Sequence, residues 1–154
     1  MDTTGLREAY AALVTEANRG GFGAPHDGGW SAERVVAHVN VNDALLTAVT
    51  ERLIAGRDAS LDNAPATDPA ALDELVERCG DLLGVASAVR ESGDRLCELL
   101  EQLDDTAAAT PVPTRIADGG QVVVDQPMPW AVLMQVQEHR HLVAHTEQLR
   151  ALRV

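Results

Sequence analysis

The chain contains no lysine; all 12 of its Lys/Arg positions are arginine. Set against 24 acidic residues, they leave a formal net charge of −12 with no basic cluster. Electrostatic capture of nucleic acid or of an anionic membrane surface is therefore not expected. Aromatic residues make up only 3% of a chain that is 45% hydrophobic. The core must be built from Leu, Val and Ala, which suits packed helices better than a sandwich. No apolar run approaches the roughly 20 residues that a membrane helix needs. The opening MDTTGLREAY has no basic region leading into an apolar run, so no signal peptide is expected. Cysteine is limited to Cys79 and Cys97. On one helix they would stand about 27 Å apart, beyond the reach of a disulfide. These absences predict a cytoplasmic protein in a reducing compartment, and the length predicts a single domain over residues 1–154.

What is present reads as helix. Leu6, Ala9 or Tyr10, Leu13 and Ala17 mark an apolar stripe over 3–18. A glycine-rich loop follows at 19–29; it lacks the GK[ST] ending of a phosphate loop and holds His26 at the surface. Ser31 is a good cap for a second helix running to about Ile54, with Glu33 in its first turn and Trp30 placed to pack on Val35. That helix turns Val35, His38, Val41 or Asn42, Leu45, Val49 and Leu53 inward. Residues 57–67 read as a polar linker. Asp68-Pro69 starts a long third helix, whose seam runs from Leu72 through Cys79, Leu82 and Val89 to Leu103. Cys79 reads as a small buried hydrophobe on that seam, and glycines at 80, 84 and 93 are places where it can bend or break. In 110–127, the run Val122–Val124 and the Asp118-Gly119 turn predict a small hairpin or extended loop. The last helix starts near Pro129 and runs to the end. The fold class expected is all-α, an up-down four-helix bundle with that hairpin before the last helix.

The last helix carries the chemistry. Its stretch QEHRHLVAHTEQL holds His139, His141 and His145. On a helix, His141 and His145 lie one turn apart on one face and can offer two imidazoles to one metal ion. His38, inward on the second helix, is the expected third ligand. Two inward histidines with no partner would leave buried nitrogens unsatisfied, which favours metal over a purely structural role. Three histidines leave one side of a divalent ion free, as in catalytic sites; zinc is the first expectation, with nickel and iron as alternatives. Glu138, one turn before His141, is expected as a hydrogen-bond acceptor for an imidazole, a base or a fourth ligand. Asn42, one turn after His38, is expected to line the same pocket. His139 and Arg140 should face solvent.

GWSAERVVAHVN and PWAVLMQVQEHRHLVAHTEQL, in that order and separation, resemble the DinB-like or YfiT-like superfamily of metal-binding helical proteins. The resemblance spans nearly the whole chain and is nearest to the N-terminal domain of mycothiol-dependent maleylpyruvate isomerases. It implies an up-down bundle, a divalent metal on His38, His141 and His145, a homodimer, and a low-molecular-weight thiol such as mycothiol as cosubstrate. Two features depart from the isomerase branch. His141 stands where that branch often has a carboxylate, and the chain ends at Val154 without that branch's further C-terminal domain. The metal triad is what carries over.

The expected function is a metal-dependent S-transferase or isomerase acting on a small molecule, with a thiol activated at the metal. The alternatives are a metal-dependent hydrolase using Glu138 as base, and a non-catalytic ligand-binding or interaction module.

Overall fold

The computed structural model describes residues 1–26 and 28–154. Asp27, within the loop expected at 19–29, lies outside the described residues. Helix α1 covers Thr4–Arg19 and buries Leu6, Tyr10, Leu13 and Ala17, the stripe that the spacing predicts, with Val14 buried beside them. Helix α2 covers Ala32–Ile54; Ser31 caps it by accepting a hydrogen bond from the Arg34 amide at 3.3 Å. This helix is buried on two sides, because Val36, Val39 and Leu46 join Val35, Val49 and Leu53 in the core.

The expected all-α four-helix bundle is not what the chain forms. A three-stranded mixed sheet stands beside the helices. Its strands are β1 (Leu61–Asp62), β2 (Pro111–Asp118) and β3 (Gln121–Pro129). The hairpin β2–β3 turns at Gly119-Gly120, where both φ angles are positive (56° and 80°), a conformation that glycine adopts without strain. The linker at 57–67 is the second correction. Its Leu61-Asp62 pairs in parallel with Thr114-Arg115. Asn63 then fastens the join, donating to the Ala117 carbonyl at 2.9 Å and accepting from the Ala117 amide at 2.8 Å. A 3₁₀ turn, Ala64–Thr67, completes the segment.

The long third helix is two. Helix α3 (Pro69–Cys79) ends at Gly80, which takes φ 89°, and Asp81 caps α4 (Leu82–Leu100) by accepting from the Gly84 amide at 2.9 Å. Cys97 is fully buried and Cys79 only half-buried, the reverse of the expected emphasis. A short helix, α5 (Asp105–Ala108), leads into the sheet.

The final rod has three parts: α6 (Trp130–Val136), a π-helical turn (Gln137–His141) and α7 (Leu142–Leu152). Trp130 is completely buried where the sheet hands over to the rod, and its indole N–H donates to Thr50 Oγ1 at 3.2 Å. The core forms where α2 packs on α4, α4 on α1, α1 on α7 and α7 back on α2. Among the described residues, no helix is long and apolar enough to cross a membrane.

Candidate metal centre

The π turn decides which residues of the last rod face the core. The buried line descends through Trp130, Leu133, Met134 and Gln137. An unbroken α-helix would continue that line to 141 and 145. Instead the Leu142 amide bonds to the Gln137 carbonyl, five residues back, and the line moves on by one residue to Leu142, Thr146 and Leu149. His141 and His145 are thereby set to the flank of the core line, where they meet α2.

There they find His38. One nitrogen from each of His38, His141 and His145 lies within 4.8 Å of the others. The ring centroids are 5.0 Å apart for His38–His141, 4.7 Å for His38–His145 and 4.6 Å for His141–His145. The Trp30 ring leans on His38 at 5.1 Å, so the residue before the cap packs on an imidazole of the site.

Hydrogen bonds fix two of the three rings. His38 Nδ1 is 2.6 Å from the Ala66 carbonyl, which can only accept, so Nδ1 carries the proton and Nε2 presents a lone pair. His145 Nδ1 likewise donates to Gln148 Oε1 at 2.9 Å. Partners of this kind orient metal-ligating imidazoles. His141 is different. Its Nε2 faces His38 Nε2 at 2.9 Å, and its Nδ1 is buried with no hydrogen-bond partner.

Electrostatics hold the cluster neutral. Burial, then the neighbouring His145, pushes His38 down to about 4, against the opposing pull of the Ala66 carbonyl and Asp118. Burial and the other two rings hold His141 well below the ordinary histidine range. Burial lowers His145 as well, with Gln148 and Asp118 opposing. Neutral imidazole is the form that binds a cation.

The other expected residues fall elsewhere. Glu138 points towards α1: its carboxylate lies where a Cβ on Gly5 would sit and 3.3 Å from His139 Nε2. Asn42 is buried, one turn along α2 from His38, and its amide donates to Gln137 Oε1 at 3.2 Å. His139, Arg140 and His26 are exposed.

No family model matches the chain, and searches of curated proteins and of solved structures find no match either. The geometry of the site has to speak for itself.

Three features escape the sequence reading. One is Asp118, at the tip of β2, whose charge acts on both His38 and His145. Its place depends on the pairing of Asn63 with Ala117, a long-range contact with no local signature. The second is a buried polar network one layer below the histidines. The Tyr10 hydroxyl donates to Asp43 Oδ1 at 2.5 Å, Ser92 donates to Asp43 Oδ2 at 2.6 Å, and the Gln137 amide reaches both Tyr10 and Asp43. Asp43 is fully buried, and burial pushes its carboxyl up to about 7 against the pull of those donors. The spacing 35, 38, 41 or 42, 45, 49 draws attention to one face of α2 and away from position 43; Leu46 is buried where Leu45 is expected. The third is Glu16, buried on α1 and paired with Arg19, Arg150 and Arg153.

Proposed function

We propose that His38, His141 and His145 hold a divalent metal ion, and that the protein uses it in thiol chemistry. The contact between two Nε2 atoms at 2.9 Å carries the metal part of this reading; the thiol part rests on the sequence resemblance. With the His38 proton on Nδ1, that pair leaves two choices for a neutral His141. If His141 carries its proton on Nδ1, two lone pairs oppose each other. If it carries the proton on Nε2, its Nδ1 stays buried with an unused lone pair. A cation among the three rings relieves the first of these, because opposed Nε2 lone pairs then become ligands; His141 Nδ1–H keeps no partner in the chain. An all-imidazole donor set suits zinc first, and nickel or iron also.

A divalent ion held this way supplies Lewis acidity that lowers the pKa of a thiol bound to it. The chain contributes the rest. Ala66 and Gln148 hold two rings in the ligating tautomer, and Trp30 covers the His38 face. Asp118 sets one negative charge near a cluster of neutral ligands. The substrate class proposed, on the resemblance and not on the geometry, is a small electrophile taken up by a low-molecular-weight thiol of the mycothiol type, by S-transfer or isomerisation. Glu138, turned towards Gly5, offers no support for hydrolysis with that residue as base.

The experiment is a thiol-transfer assay with a chromogenic aryl halide, on metal-loaded wild type and on His145→Ala. Conjugation that needs both the thiol and the metal, and is lost in the variant, is the expected result. Equal rates in both proteins would overturn the proposal.

A further inference from the structure

The network beneath the site contains an amide where an apolar side chain would pack as well. Gln137 is 4% exposed and lies on the core line between Met134 and Leu142. Leucine or methionine there would avoid the cost of burying polar atoms. Instead, every polar atom of the amide is engaged. Its oxygen accepts from Asn42 at 3.2 Å; its nitrogen donates to the Tyr10 hydroxyl at 3.3 Å and to Asp43 Oδ1 at 3.4 Å.

The position of these contacts matters. Asn42 follows His38 by one turn of α2, and Gln137 precedes His141 by four residues on the last rod. The two segments meet in consecutive layers: His38 on His141 at 2.9 Å, then Asn42 on Gln137 at 3.2 Å. The backbone between Gln137 and His141 is the π turn, closed by the bond from the Leu142 amide to the Gln137 carbonyl. The side chain of Gln137 is thus fixed to α1 and α2, while its carbonyl fixes the turn that ends at His141. Rotation or sliding of the rod would strip one hydrogen bond each from Asn42, the Tyr10 hydroxyl and the fully buried Asp43 carboxyl.

We propose that Gln137 is a positioning residue for the metal centre, clamping the last rod to α2 so that His141 meets His38 at ligating distance. The proposal rests on the metal reading of the three histidines. It also makes a claim that needs no metal: the amide sets the separation of two imidazoles.

The test compares wild type with Gln137→Met, which keeps the length and removes the amide, and with Asn42→Leu, which removes the other half of the clamp. Cobalt(II) is the probe. Circular dichroism first establishes that each variant is helical. The expected result is a loss of about 10–100-fold in cobalt affinity, the usual scale for a group that orients a metal ligand, with a changed visible absorption spectrum. In the metal-free proteins, ¹H–¹⁵N imidazole spectra should show the His38 and His141 nitrogens shifting together while His26 and His139 stay put. Unchanged affinity and spectrum in either folded variant, or unchanged imidazole resonances, would overturn the proposal. If wild type itself binds no cobalt, the metal reading falls, and the imidazole spectra alone decide the role of Gln137. If one variant fails to fold, the other decides by the same readouts.

Discussion

His38 Nε2 and His141 Nε2 face each other at 2.9 Å, although the two residues are 103 positions apart in the chain. The His38 proton is held on the other side of its ring by Ala66. Both rings are pushed towards the neutral state by burial. Either the two lone pairs oppose each other or His141 donates from Nε2 and leaves its buried Nδ1 without a partner, and the predictions below follow from that contact and the network under it.

The first concerns acid. In metal-free protein the three histidines have folded-state pKa values below the unfolded value of about 6.5, with His38 near 4. Between those values the unfolded chain binds more protons than the folded one, so stability falls as pH falls. The contribution is fully present above about pH 6.5 and is lost progressively towards pH 4; for His38 alone it is on the order of 2–3 kcal/mol. Urea unfolding of chelator-treated wild type and His38→Ala at pH 5 and pH 7 measures it by difference, because Asp43 titrates the opposite way over the same range. His38→Ala should flatten the dependence.

Asp43 works in the opposite direction. Its carboxyl is raised to about 7 by burial, whereas an unfolded aspartate ionises near 4. Its contribution is present below about pH 4 and is lost as pH rises towards 7. Asp43→Asn keeps the shape and an acceptor for Tyr10 but cannot ionise. The variant should gain on wild type steadily between pH 4 and pH 8. A stability difference that does not change with pH would contradict this.

Gly93 is a packing prediction. A Cβ there would sit 2.8 Å from ring carbons of Tyr10, which is 5% exposed and tied to Asp43. Alanine improves helix propensity by about 1 kcal/mol. The ring has nowhere to move, and overpacking of this kind costs roughly 1–3 kcal/mol. Gly93→Ala should therefore lower the melting temperature despite being a helix-favouring change, while Gly84→Ala meets the Cys79 carbonyl and should disturb the α3–α4 junction.

The helices were legible where apolar residues recur at spacings of three and four. The α1 stripe and the Ser31 cap lie where the sequence places them, and the break at Gly80 falls on a glycine singled out for it. The parallel pairing of Leu61-Asp62 was not legible. Two residues carry no periodicity, and their strand exists only because β2 arrives beside them. The same holds for Asp118, whose approach to the histidines is set by that pairing.

The π turn is the more instructive case. HRHLVAHTEQL carries two overlapping patterns one residue apart: His141, His145 and Gln148 on one, Leu142, Thr146 and Leu149 on the other. Read as an unbroken helix, the first is inward and Glu138 joins it. The structure satisfies both patterns by widening one turn, which puts leucines in the core and histidines on its flank, while Glu138 meets Gly5 of α1. Two competing registers one residue apart, one of histidines and one of leucines, were the available signal.

The most direct measurement is a zinc titration of chelator-stripped protein against a competing chromogenic chelator, for wild type and His141→Ala. The account predicts one zinc bound per chain in wild type, a melting temperature that rises with zinc concentration, and loss of both in the variant. No binding by wild type, or equal binding by His141→Ala, would contradict it.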